Sequence, residues 1–198
     1  MKKFLVIATL IIGIIGCSKD DDSQINTELV GTWSIVDGEL NGQRTSQLPN
    51  LTYEDRQSRD CAKRSTFKFL SNGDFRGVFY MPEIALDYSN GNYKFVYRGC
   101  RRAIDLDDLA EKGSIKYKVV DKKIIIYAKD NDGSSNEVEF FKIESLSRET
   151  LKVSYSEEMK QELRSAYEQG KQIAQQYGID VPHNIEVALN GYIIMEKQ

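Results

Sequence analysis

The chain has 198 residues, of which 40% are hydrophobic and 29% charged, with a formal net charge of −3. Such apolar content suffices for a packed core and excludes wholesale disorder, and the slightly acidic balance excludes a nucleic-acid footprint. One domain is the natural expectation at this length.

The N-terminus opens with Met1-Lys2-Lys3, continues through an apolar run from Phe4 to Ile15 and reaches Gly16-Cys17. Charged, greasy and then small is the order of an export signal. A permanent span needs about 20 apolar residues, and this run is too short before the switch to Ser18-Lys19-Asp20-Asp21-Asp22. The segment Ile14-Ile15-Gly16-Cys17 resembles the lipobox of bacterial lipoproteins. That resemblance implies cleavage of residues 1–16 and acylation of Cys17, an anchor whose outer-membrane location is the expectation from the residues that follow. Each buried methylene contributes about 0.8 kcal/mol, so two or more acyl chains hold durably where one does not. The other reading is an ordinary signal peptide with a chance cysteine at the cut. Cleavage would leave 182 of the 198 residues and, with Lys2 and Lys3 gone, a formal charge of −5 in place of −3.

Residues 17–28 read as the lipidated cysteine and an acidic tether, because they hold no aromatic residue and include three consecutive aspartates. Ser18-Lys19-Asp20-Asp21-Asp22 is similar to the short Lys/acidic signal with which one group of Gram-negative bacteria sends lipoproteins to the cell exterior. The alternative is a solvated spacer.

Residues 29–198 form the expected domain. Five dipeptides suited to tight turns punctuate it: Asn41-Gly42, Asn72-Gly73, Asn90-Gly91, Asp132-Gly133 and Asn190-Gly191. Between them apolar residues alternate as in half-buried strands. Phe67 and Phe69 lead, followed by Phe75 and Phe79, Tyr93 to Tyr97, Ile115 to Val119 and Ile124 to Tyr127. Val138 to Ile143 and Leu151 to Tyr155 come next. With an opening strand near Thr32 to Val36 and a last one near Tyr192, about nine strands in a mainly antiparallel, all-β order are predicted.

Two stretches interrupt the strands. Gly42 to Arg64 reads as a long polar loop. Met159, Leu163, Ala166, Tyr167, Gly170, Ile173, Ala174 and Tyr177 share one face at helical spacing, so a long helix precedes the last strand. Ser156 is placed to cap its start, and Gly178 and Pro182 to end it. A shorter helix is predicted from Asp105 to Lys112, stopped at Gly113.

With Cys17 lipidated in an oxidising compartment, Cys61 and Cys100 remain as an even pair and are expected to be bonded. The alternative is two separate buried thiols. A bond would bring the long loop beside the loop carrying Arg98, Arg101 and Arg102, with Lys63 and Arg64 near. That makes either a patch for anions or a set of arginines paired with Asp60, Asp105 and Asp107.

Leu29-Val30-Gly31-Thr32-Trp33 contains the only tryptophan. It resembles the G-x-W opening of lipocalins, and the following order is similar to lipocalin-like domains on bacterial lipoproteins. This includes Thr66-Phe67-Lys68-Phe69, Asn72-Gly73-Asp74-Phe75, Lys122-Lys123-Ile124-Ile125-Ile126 and Thr150-Leu151-Lys152-Val153. The resemblance implies an up-and-down β-barrel of eight to nine strands with Trp33 plugging its closed end, whose interior holds side chains or one small apolar ligand. By strand parity and size, Phe79, Tyr93, Phe95, Tyr97, Tyr117 and Tyr155 are the wall candidates. Two departures from the family stand out: no arginine lies near the last strand to cover Trp33, and the main helix precedes that strand.

The single histidine, His183, has no nucleophile elbow, phosphate loop or metal-ligand spacing around it. The chain reads as noncatalytic, with no cofactor and no metal. Its expected partners are the membrane and either a small apolar ligand or another surface protein or glycan. Nucleic acid is not among them.

Overall fold

The computed structural model describes residues 26–49, 51–89, 92–110, 115–129, 135–176, 186 and 189–198. The expected signal peptide, Cys17 and the segment Ser18, Lys19, Asp20, Asp21, Asp22 lie outside them. So do His183, Tyr177, Gly178, Pro182 and the Asn90-Gly91 and Asp132-Gly133 turns.

Ten strands form one sheet: β1 (Gly31–Leu40), β2 (Gln43–Arg44), β3 (Thr66–Phe69), β4 (Phe75–Ser89), β5 (Asn92–Asp105), β6 (Ile115–Val120), β7 (Lys123–Lys129), β8 (Ser135–Leu146), β9 (Thr150–Tyr155) and β10 (Tyr192–Lys197). The hydrogen-bonded order is β5-β4-β3-β1-β10-β9-β8-β7-β6, with two-residue β2 attached to β1. Every pairing is antiparallel. The sheet is not closed, since its path ends at β5 and at β6. One bridge, Asp74 with Lys116, joins the turn before β4 to β6, and Tyr117 N donates to Gly73 O at 2.8 Å beside it.

The strands form where apolar residues alternate. β3 buries Phe67 and Phe69, β9 buries Leu151 and Val153, and the residues between them face the other way. These side chains join Leu29, Trp33, Phe75, Tyr117, Ile124, Phe141 and Met195 in a single core cluster. Residues from both ends of the strand order meet there, so the sheet curls around one core.

The turns mix expected and unexpected chemistry. Asn41 and Gly42 take φ of 51° and 79° between β1 and β2, as a two-residue hairpin requires. Asn190-Gly191 instead closes a helical turn, Asn190 N donating to Glu186 O at 3.0 Å. The β6–β7 hairpin turns on Asp121 and Lys122, with φ of 49° and 64° and no glycine.

Two expectations are corrected. The polar stretch from Gly42 to Arg64 is not a loop: it holds β2, a 3₁₀ turn (Thr45–Gln47) and helix α1 (Tyr53–Ala62). A reciprocal box starts α1, with Thr52 Oγ1 accepting from Asp55 N at 3.1 Å and Asp55 Oδ2 accepting from Thr52 N at 3.1 Å. Arg98, Arg101 and Arg102 lie not in a loop but in β5, which runs on through Cys100 to Asp105. The short helix expected from Asp105 is α2 (Leu106–Ala110), capped by Asp105 Oδ1, which accepts from Asp107 N and Asp108 N at 3.0 and 3.3 Å.

Helix α3 (Glu157–Gln176) starts where expected, with Ser156 Oγ accepting from Met159 N at 3.0 Å. Of its apolar stripe, Ala174 is buried, Met159, Leu163, Ala166 and Tyr167 are half-buried, and Ile173 is 52% exposed. Near its start the helix is tied to the sheet by Glu139 N, which donates to Glu158 Oε2 at 2.9 Å.

Cys61 and Cys100 are bonded, their Cα atoms 5.4 Å apart. Cys61 is the one buried residue of α1, so the bond is what ties this polar helix to β5. It holds an arm: β3 pairs with β4 only from Phe75 to Val78, and beyond that β4 has β5 as its partner as far as Ser89.

Candidate functional site

Trp33 is fully buried near the start of β1. Its indole Nε1 donates to Leu29 O at 2.7 Å, and Leu29, also fully buried, closes a turn by donating its N–H to Asn26 O at 3.0 Å. Lys197, the register partner of Trp33 on β10, holds its ammonium 5.2 Å from the tryptophan ring centroid and donates to Glu28 O at 3.1 Å. Gly31 has φ +145°, and a Cβ there would stand 2.3 Å from Lys197 Cε. The glycine is thus the gap through which the lysine crosses to the tryptophan. A cation from the last strand does cover Trp33, although it is a lysine and not an arginine.

Of the wall candidates, Phe79, Tyr117 and Tyr155 belong to a continuous train of rings. Tyr117 meets Phe69 (5.0 Å between centroids), Phe69 meets Phe75 (5.1 Å) and Phe75 meets Phe67 (6.5 Å). Phe67 then touches both Phe79 (4.9 Å) and Phe141 (5.9 Å), and Phe141 touches Tyr155 (5.9 Å). Spacings of 4.5–7 Å are those of packed aromatic pairs, so these rings fill space against one another. Tyr117 hydroxyl donates to Leu70 O at 3.1 Å, and burial pushes its pKa up to about 12. Burial raises that of Tyr155 as well. Tyr97 is half-buried on β5, and Tyr93 and Phe95 lie in β5 with side chains outside the description.

The three arginines each stand within ion-pair distance of a carboxylate. Arg98 lies 3.7 Å from Asp87, Arg101 3.9 Å from Glu83, and Arg102 2.6 Å from Asp105. All are about half exposed. Asp107 pairs with Lys68 at 2.9 Å and Asp60 with Arg59 at 3.8 Å.

Sequence reasoning missed two features. The first is Asp37, on the sheet face away from the core but only 5% exposed. A bulge after Ile35 brings it under the 3₁₀ turn. Its carboxylate accepts from Thr45 Oγ1 (2.7 Å), Ser46 Oγ (2.5 Å), Ser46 N (3.1 Å) and Gly38 N (2.9 Å). Burial alone would push this carboxyl up, but the four hydrogen bonds outweigh it and hold the pKa at about 2. Asp37-Gly38 and Thr45-Ser46 flanking the Asn41-Gly42 turn were the available signal.

The second is a cleft of about 600 Å³ between the first turns of α3 and the outer face of β7 to β10. One register row crosses its floor, Lys123 opposite Lys142, Lys142 opposite Ser154, and Ser154 opposite Tyr192. The charges pair within the cleft: Lys123 with Glu139 at 2.8 Å, Lys142 with Glu144 at 3.4 Å, and Lys160 with Glu157 at 2.7 Å. Ser154 Oγ donates to Glu144 at 2.8 Å, and this bond together with Lys142 holds the Glu144 carboxyl below the usual range.

No family model, curated protein or solved structure matches the chain. Among the described residues no group of three or more His, Cys, Asp or Glu is arranged to hold a metal ion, and no helix is long and apolar enough to cross a membrane. The arrangement can hold a tryptophan in place, pack rings, and offer a polar cleft on its exterior.

Proposed function

We propose that this chain is a lipoprotein anchored through acyl chains on Cys17 to the outer membrane, displayed on the cell exterior, with a noncatalytic lipocalin-like barrel as its domain. The barrel is a filled scaffold, and the protein works through its outside as an accessory to another surface component. The observation that carries this choice is the ring train from Tyr117 to Tyr155, which occupies the positions a carrier would need for its ligand. The Gly31, Trp33 and Lys197 arrangement supports the lipocalin-like reading, and the Asp74–Lys116 bridge supports a sheet that curls toward closure. The tether ends at Asn26 to Leu29, beside Trp33. That end faces the membrane, and the β4–β5 arm with α1 faces outward.

Native mass spectrometry of the full lipoprotein after gentle extraction tests the scaffold. The expected species carries its covalent acyl chains and no other small molecule, and a retained apolar ligand would show a carrier instead. Cys17→Ser should abolish palmitate labelling, and normal labelling of that variant overturns the anchor. Replacing Lys19-Asp20-Asp21-Asp22 by alanines should keep the label but remove protease accessibility on intact cells. Unchanged accessibility rejects the export signal.

A further inference from the structure

We infer that the cleft between α3 and the outer face of β7 to β10 is a binding site for a neutral saccharide of one or two sugar rings. The inference deepens the preceding reading, since it names a ligand class for the exterior on which that reading relies.

The cleft's volume of about 600 Å³ falls in the range of small-molecule sites, roughly 300–1,000 Å³. Its chemistry excludes two ligand classes. A polyanion would have to compete with Glu139, Glu144 and Glu157, each already seated on one of the lysines. An alkyl chain would strip water from three ammonium groups and their carboxylates with nothing to replace it, and desolvating charge without new hydrogen bonds is strongly unfavourable.

Neutral hydroxyls fit both halves of the array. Each donates one hydrogen bond and accepts others, so neighbouring hydroxyls of a sugar can give to a carboxylate and take from the adjacent ammonium together. Bonds of this kind to charged groups are the stronger ones. Lys142 and Glu144 stand 3.4 Å apart with Ser154 hydroxyl against the same carboxylate, a spacing that presents donor and acceptor side by side. Tyr192 completes the row with a ring held in place by Lys152, whose ammonium lies 4.2 Å from its centroid. Such a ring supplies apolar surface for the C–H face of a sugar. Ser154 and Tyr192 also sit on the half of their strands remote from Trp33, so the cleft lies away from the tether.

The full-length protein in detergent should be titrated by isothermal calorimetry and saturation-transfer NMR with maltose, cellobiose and N,N′-diacetylchitobiose. A sulfated disaccharide and dodecanoate serve as contrasts. At least one neutral disaccharide should bind with a Kd of about 1 mM or tighter, and Glu144→Gln should weaken it about tenfold. Tyr192→Ala should weaken it comparably. Glu144→Gln is close to isosteric, and an unchanged melting temperature verifies its fold. The proposal is overturned by no binding of any neutral disaccharide, by preference for the sulfated sugar or the fatty acid, or by affinity unchanged in Glu144→Gln. A failed titration leaves palmitate labelling at Cys17 and the ligand-free interior as they were, so the two readings fail separately.

Discussion

Asp37 keeps its charge in a buried place because four donors converge on it, three of them from the turn that follows β2. Asp37→Ala strands those donors and should lower stability by roughly 2–3 kcal/mol in urea unfolding. The pH dependence follows from the depressed value. With a folded pKa of about 2 against an ordinary 3.8, the stabilisation is complete above the ordinary value and is lost as pH falls from 3.8 through 2. Asp37→Asn should flatten the acid limb of the stability curve across that window. Gly77 is the second sensitive residue, with φ +153° and a would-be Cβ 2.2 Å from Thr66 O. Backbone cannot yield there as the lysine side chain over Gly31 can. Gly77→Ala should therefore destabilise by at least about 2 kcal/mol and more than Gly31→Ala, as thermal melts would compare. At this scale Gly31 and Trp33 were legible as a motif. Lys197 was not, because only the register of β10 brings the lysine opposite Trp33. Asp37 was hidden because the bulge that buries it leaves no mark in the alternation.

Among elements, α1 depends on its single covalent tie. Joining residues 39 apart in sequence should stabilise the fold by about 4 kcal/mol on the chain-entropy model. Replacing both Cys61 and Cys100 by alanine should forfeit most of that stabilisation in denaturant unfolding. It should also speed hydrogen exchange in α1 more than in β9. The β6–β7 hairpin holds Asp121 and Lys122 in the left-handed region, which suits Asn-Gly better. Asp121→Asn with Lys122→Gly should raise the melting temperature by a few degrees, equivalent to roughly 1 kcal/mol. The strands were legible because alternation of large apolar residues is the direct signature of a half-buried strand. Helix α1 was not, since its sequence Tyr53 to Ala62 buries only Cys61 and has no apolar stripe. Its one readable mark was Thr52 three residues before Asp55. The full length of β5 was not legible because its arginines and Cys100 do not look like a sheet, although an edge strand with one partner accommodates them.

For the whole molecule, the long helix before the last strand was visible in the helical spacing of apolar residues, and a mainly antiparallel order in the alternating aromatic residues and turns. Closure was not, because whether two edges meet depends on strand lengths and bulges: β4 pairs with β3 for four residues and with β5 for most of the rest. If the Trp33 end faces the membrane, a fluorophore at Glu149→Cys, beside Lys197, should be quenched by a lipid-headgroup paramagnet in reconstituted vesicles. One at Tyr88→Cys, near the tip of the arm, should be quenched less, and equal quenching at both sites would discard that orientation.

The clamp around Trp33 also decides how the domain bears tension. A pull on the segment before Asn26 enters through Leu29 and passes along β1, which is flanked by β3 on one side and β10 on the other. Antiparallel hydrogen bonds lie perpendicular to the strands, so this pull loads both ladders in shear, many bonds at once, instead of unzipping them singly. Lys197, reaching Glu28 from the far ladder, binds the point of entry to β10. If the chain is anchored through that segment as proposed, drag on the domain would thus fall on its strongest direction.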